Sequence, residues 1–228
     1  MNSEPTGRDG DLPTPTGLRA VVFDLDGVLV DSSDVTREAF ALAYQEVVGA
    51  GEPPVEEYSR HAGRSFPDIL RMLGLPPELE GPFVREGYRL VHRVRLFDGV
   101  TDVLEALRAR GIGCAVATGK SGPRARSLLD ELGVLSLFDH VVGSDEVAHS
   151  KPAPDIVLRA LDLLCVRPDE AVMVGDAVTD LASARAAGVR AVAVLWGEEA
   201  AQLLLDARPD VALGSPAELL NWLLEATA

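Results

Sequence analysis

Cysteine, lysine and long apolar runs are scarce in this chain, and each scarcity excludes something. Its two cysteines, Cys114 and Cys165, stand apart in apolar segments. They read as small buried hydrophobes, not as a disulfide or a metal pair. Lysine occurs only at 120 and 151, so nineteen of the twenty-one basic residues are arginine. A chain that uses arginine nearly everywhere has reason to want a compact ammonium at those two places. No apolar stretch approaches the ~20 residues of a membrane span, so no membrane partner is expected. The net charge of −15 repels nucleic acid and anionic membrane, and any bound phosphate needs local cations. His61, His92, His140 and His149 lack metal-ligand spacing and read as ordinary. Residues 1–17 are rich in Pro, Gly, Thr and acids. They lack the basic and apolar regions of a signal peptide, and read as a disordered lead-in to a cytoplasmic protein.

What remains is ample for a core: 228 residues, 47% of them hydrophobic, enough for one domain with an added subdomain. The chain is organised around residues 19–32, where the apolar run Ala20 to Phe23 leads straight into Asp24-Leu25-Asp26-Gly27. The run reads as a buried strand. Two carboxylates two residues apart at its end are poor strand residues and costly to bury unpaired. Taken alone, a turn with a helix N-cap would also account for them.

A helix is expected from Ser32/Ser33 to about Val48, capped by the Ser/Asp cluster before it. Residues 55–96 read as short helices near Glu56–His61, Ser65–Leu73 and Glu78–Arg95, with no strand alternation. From Asp98 onward strands alternate with helices: helix 100–110, strand 112–117, helix 121–132, strand 140–142, helix 154–164. Strand 171–174, helix 178–187, strand 190–195, a helix near 198–206, strand 210–213 and helix 216–226 complete the series. This pattern predicts an α/β fold, a Rossmann-like doubly wound parallel sheet, with strands buried on both faces. The core spans 18–32 and 98–228, and residues 33–97 form a small all-α insert.

Ligands in such sheets bind at the C-terminal ends of the strands. Strand 20–23 is followed there by Asp24 and Asp26, strand 112–117 by Thr118-Gly119-Lys120, and strand 140–142 by Gly143-Ser144-Asp145, with Lys151 soon after. Strand 171–174 is followed by Gly175-Asp176 and then Asp180. Carboxylates, a hydroxyl and a lysine converging on one rim fit phosphoryl transfer with Mg²⁺.

Asp-Leu-Asp-Gly-Val-Leu-Val-Asp-Ser (24–32), Ala-Thr-Gly-Lys (117–120), Lys-Pro-Ala-Pro-Asp (151–155) and Val-Gly-Asp-Ala-Val-Thr-Asp (174–180) resemble the four ordered motifs of the haloacid dehalogenase (HAD) superfamily. The chain most resembles its phosphoglycolate-phosphatase-like branch, from about residue 18 onward, with the insert where that branch carries a mobile cap domain. The resemblance implies a Mg²⁺-dependent phosphatase acting on a small phosphorylated metabolite, as monomer or homodimer. It implies Asp24 as nucleophile, forming an aspartyl-phosphate, and Asp26 as general acid and base. Thr118 and the Gly119 amide would hold the phosphoryl group, and Lys151 would neutralise charge. Asp24, the Asp26 carbonyl and Asp176 would ligate Mg²⁺. Asp180 would ligate through water, orient Lys151, or simply cap a helix. Arg64, in Gly63-Arg64-Ser65-Phe66-Pro67, would reach the substrate from the cap or remain a solvated helix-start residue.

Relatives with other chemistry differ at these positions. Haloacid dehalogenases and phosphonate-cleaving relatives lack the second aspartate. Sugar-phosphate mutases of the β-phosphoglucomutase type carry Glu-Asp where this chain has Gly175-Asp176. A non-enzymatic phospho-Asp receiver module would have about half the length and no insert. Residues 51–75 and Thr-Gly-Lys-Ser-Gly (118–122) also resemble phosphatases of aminohydroxybenzoate (ansamycin starter) synthesis, which points to antibiotic biosynthesis and an amino-sugar or similar phosphate. Leu96-Phe97-Asp98-Gly99 departs from the branch, which has Pro before Gly, and leaves the hinge position open.

Overall fold

The computed structural model describes residues 17–61 and 63–226. The lead-in expected over residues 1–17 lies, Gly17 apart, outside the described residues. The chain opens with β1 (Ala20–Phe23), followed after a tight loop by β2 (Val30–Asp31). Four helices follow: α1 (Ser33–Val47), α2 (Val55–Ser59), α3 (Phe66–Leu73) and α4 (Glu80–Leu90). The chain returns through β3 (Arg95–Leu96), which pairs antiparallel with β2. Then come α5 (Val100–Ala109), β4 (Gly113–Thr118), α6 (Gly122–Glu131), β5 (His140–Gly143) and α7 (Asp155–Leu164). The last elements are β6 (Ala171–Gly175), α8 (Val178–Ala186), β7 (Arg190–Val194), α9 (Ala201–Asp206), β8 (Val211–Leu213) and α10 (Pro216–Ala226).

Six strands form one parallel sheet in the order β5-β4-β1-β6-β7-β8. The α/β doubly wound fold expected from the alternation is therefore present. Side chains alternate across a strand, and both faces of β1 are apolar. Val21 and Phe23 join the cluster that includes Leu104 of α5, Leu129 of α6 and Trp222 of α10. Ala20 and Val22 join the opposite cluster with Ile156 of α7 and Leu181 of α8. β1 lies at the centre, between β4 and β6, with successive strands added outward on each side; the crevice above its C-terminal end is the switch point where ligands bind.

The helices between β2 and β3 extend the first of these clusters with aromatic rings. Phe40 stacks on Tyr58 at 4.4 Å between ring centroids, and Phe66 on Phe83 at 3.8 Å. Tyr58 meets Phe66 and Phe83 edge-on.

Several expectations need correction. The helix expected over 78–95 runs only over Glu80–Leu90, and its tail becomes β3. A two-residue ribbon is too short to show alternation, and its pairing is a tertiary contact. The helix expected from 198 begins at Ala201, leaving Glu198 and Glu199 in a loop. Ser32 does not cap α1; its hydroxyl donates to Asp26 Oδ1 at 2.5 Å. Cys165 is exposed, because it sits just past the last turn of α7 at a positive φ of 55° that turns its side chain off the apolar face. Cys114 is buried as expected, and burial pushes its thiol up to about 12. Among the described residues no helix is long and apolar enough to cross a membrane.

Candidate active site

The first rim group follows directly from the sheet. Asp24 is the next residue after β1, and its amide continues the ladder by donating to the Val174 carbonyl at 2.9 Å. Its carboxylate is buried between β4 and β6. Thr118 is the last residue of β4 and is likewise buried. The loop after it is tied to the neighbouring strand end: Ser144 donates its hydroxyl to the Gly119 carbonyl at 2.8 Å and its amide to the Lys120 carbonyl at 3.0 Å.

Lys151 reaches the same point from the loop before α7. It is 1% exposed, and its ammonium lies 2.8 Å from Asp24 Oδ1, 2.7 Å from Asp180 Oδ1 and 3.1 Å from the Ala117 carbonyl. A buried ammonium survives only with such partners. Burial alone would lower its pKa, but the Asp180 and Asp24 carboxylates outweigh this and raise it. Asp180 thereby forms an ion pair with Lys151. Its second oxygen accepts from the Ala177 amide at 3.0 Å, closing the first turn of α8.

Asp176 follows β6. Its Oδ2 accepts from the Glu198 amide at 2.8 Å. Burial, then the neighbouring Asp180 and Asp24, push its carboxyl well above the ordinary range. Burial likewise raises Asp24 to about 7, against the pull of Lys151. Asp24, Asp176 and Asp180 place one carboxylate oxygen each within 4.8 Å of one another. Lys151 faces two of the three. Asp176 has no cation partner among the described residues, so one divalent cation fits the charge left over.

Asp26 is turned away from this cluster. Its Oδ1 accepts from Ser32, and its Oδ2 lies 3.2 Å from the Lys120 ammonium. Burial would raise its carboxyl; Lys120, Ser32 and Arg124 together hold it below the usual range. Both oxygens of the side chain are thus engaged away from the Asp24, Asp176 and Asp180 carboxylates. Lys120 lies between β4 and α6. It is largely buried against Asp26, because the turn from β4 into α6 folds back over the rim.

A cleft opens above these groups, lined by Asp24, Asp26, Thr118, Lys120 and Asp176. Arg64 lines it from the helical layer. The approach is close: a Cβ on Gly119 would stand 2.5 Å from the Arg64 carbonyl oxygen, so only glycine fits there with the layer in place. Three of its charged lining residues were not anticipated: Arg37, Arg124 and Glu198. Glu198 had a legible signal, since it follows β7, another strand of the same sheet. Burial and the Asp26 charge raise its carboxyl to about 7. Arg37 and Arg124 carried none, because a surface helix and a first helical turn commonly hold arginine.

The profile of the haloacid dehalogenase-like hydrolases matches residues 21–194. The chain belongs to that family. It is an enzyme of the hydrolase class. A phosphoglycolate phosphatase of Chromobacterium violaceum is 35% identical over 216 residues, covering 90% of this chain and 96% of the relative. One from Salmonella typhi is 30% identical over 230 residues, covering 89% and 91%. A hydrolase from Pseudomonas syringae has a solved structure that superposes with a TM-score of 0.80 at 26% identity, covering 91% of this chain and 98% of that one.

Proposed function

We propose that the enzyme is a Mg²⁺-dependent phosphatase that hydrolyses a small phosphomonoester (a sugar, amino-sugar or small-acid phosphate) through an aspartyl-phosphate on Asp24. The observation that carries the reading is the buried Lys151–Asp24–Asp180 contact with Asp176 beside it. It fixes a nucleophilic carboxylate next to a cation at a strand end, where a phosphoryl group has room to sit. The family membership and the named phosphatase relatives support the same reading.

In the first step the Asp24 carboxylate attacks phosphorus while Asp26 protonates the leaving oxygen. In the second, Asp26 takes a proton from the water that cleaves the aspartyl-phosphate. Thr118, the Gly119 amide and Lys151 hold the equatorial oxygens as charge spreads onto them. Asp24, the Asp26 carbonyl and Asp176 would hold Mg²⁺, which supplies further charge neutralisation for the transferring group. Asp180 keeps the Lys151 ammonium in place. The helices over 33–97 act as a cap that excludes water in the first step, and Arg64 meets the substrate from it.

Gly175 favours hydrolysis over the mutase reaction. A Cβ there would stand 2.3 Å from the Asp180 Cβ, so the glutamate that such mutases carry at this position has no room. Hydrolysis of p-nitrophenyl phosphate, with and without excess chelator, tests the proposal. Turnover should vanish on chelation and return with Mg²⁺. Undiminished turnover in chelator would remove the metal, and turnover by Asp24→Asn would remove the nucleophile.

A further inference from the structure

Arg124 has a position that the two-step chemistry leaves without a task. It lies in the first turn of α6, six residues beyond Thr118, with its guanidinium 4.9 Å above the Phe83 ring. Among the described residues, no hydrogen bond or ion pair engages that guanidinium. Arg124 is half-buried, and a guanidinium held over an aromatic face in a cleft keeps its five N–H donors available to a carboxylate or phosphate.

The charges around it are already matched. The carboxylate it feels most strongly is Asp26, but Asp26 is paired with Lys120 and Ser32. Asp24 and Asp180 are paired with Lys151. Glu198 feels Lys120 and Arg37 as its opposing charges. The carboxylate that Arg124 feels most strongly thus has another cation beside it, and Asp176, which has none among the described residues, is not among the charges that act most on Arg124.

Space is also left for a visitor. Arg124 lines the main cleft and a second, smaller hollow between α1, α4 and α6. The two share Thr36, Phe83, Lys120 and Arg124, so the guanidinium stands at a junction that protein atoms do not fill. The junction lies on the Asp26 side of the rim. Asp26 serves the leaving oxygen, so what occupies that side is the alcohol half of the substrate, not the transferring phosphoryl group.

We propose that Arg124 is a specificity residue that binds an oxyanion, a carboxylate or a second phosphate, carried by the alcohol half of the substrate. The assignment rests on the phosphatase reading above. The planar fork matches such groups with two parallel hydrogen bonds, and the Phe83 face holds the fork in plane by cation–π contact.

The test uses matched substrates. 3-Phosphoglycerate against glycerol 3-phosphate differs by the carboxylate; fructose 1,6-bisphosphate against fructose 6-phosphate differs by the second phosphate. The wild-type enzyme should favour the oxyanion member of one pair by about 10-fold or more in kcat/KM, and which pair shows it separates the two oxyanions. Arg124→Met, which keeps an apolar chain over Phe83, should collapse that ratio; Arg124→Lys should restore part of it. Equal rates within both pairs, or a ratio that survives Arg124→Met, overturns the assignment. If Arg124→Met fails to fold, the wild-type ratios and Arg124→Lys decide: an unchanged ratio in Arg124→Lys counts against a bidentate fork. Hydrolysis of p-nitrophenyl phosphate without preference in either pair sinks this assignment alone. No hydrolysis of any phosphomonoester sinks the phosphatase reading with it.

Discussion

The strands of the sheet and the helices laid over their C-terminal ends are held together by different side chains. Strands β1, β4, β6 and β7 are mostly valine and alanine, with nearly every residue buried. The helical layer is knit by rings: Phe40, Tyr58, Phe66 and Phe83. The contrast follows from geometry. Parallel strands at fixed spacing need small or β-branched groups that fit a pleated surface. Short helices joined by Gly and Pro loops bury little area each, so large rings supply more of it per residue. The rim groups therefore stand on a backbone whose register the ladder fixes, whereas cleft residues such as Arg64 stand on a layer held to the core by few polar contacts. The layer's ties to the rim region include Asp68 of α3, which accepts from Ser150, next to Lys151.

The comparison can be broken most severely at the rim. Asp24→Asn should abolish turnover and phosphoenzyme formation while the circular dichroism spectrum stays native, because the amide packs like the carboxylate but cannot attack. Next comes Lys151→Arg. A planar guanidinium cannot replace a compact ammonium set within 3 Å of two carboxylates, so kcat should fall on the order of 10²-fold or more. A near-wild-type rate would show that position 151 needs only positive charge.

Lys120→Met tests the Lys120–Asp26 contact. Loss of about 10-fold in kcat/KM is expected, the scale of one charged contact. The pH profile should move as well. Lys120 helps hold the Asp26 carboxyl low, so its removal raises that pKa. The first step needs Asp26 protonated, so the alkaline limb of kcat/KM should shift to higher pH. An unmoved limb would separate Lys120 from the proton transfer.

Chelated protein provides a stability test of the same rim. Asp24 and Glu198 are raised to about 7, and Asp176 is raised well above its ordinary value, in each case first by burial. From about pH 4 to 7 the unfolded chain gives up protons that the folded protein keeps, so stability falls as pH rises through this window. In chelator, Tm should be lower at pH 8 than at pH 6 by roughly 5 °C. Mg²⁺ should reverse the loss by binding the folded state, and Asp176→Asn should blunt both effects. A Tm that rises across the window would contradict the buried-carboxylate account. The smallest effect is expected in the helical layer. Asp68→Asn weakens the tie to Ser150 and should lower kcat/KM roughly 3- to 10-fold, the scale of one hydrogen bond, with Tm little changed. A loss as large as that of Lys151→Arg would mean that the layer and the rim are not separable.

By itself the sequence determined the alternation of strands and helices, the parallel sheet, the placement of Asp24, Thr118 and Asp176 at strand ends and that of Lys151 in the loop after another strand. These follow from local rules: continuous apolar runs make doubly covered strands, and the residue after such a run emerges on the ligand-facing rim. The tertiary structure alone decided which rim groups touch. Asp180 faces Lys151 because α8 turns back over the sheet, and Lys120 meets Asp26 because the loop after β4 folds inward. Glu198 joins the cleft because the chain after β7 reaches Asp176 before α9 begins. The β2–β3 ribbon and the Arg124–Phe83 stack join segments far apart in the chain. No local pattern encodes such pairs, since their energy comes from burial and charge matching that exist only once the sheet and the helices above it are assembled.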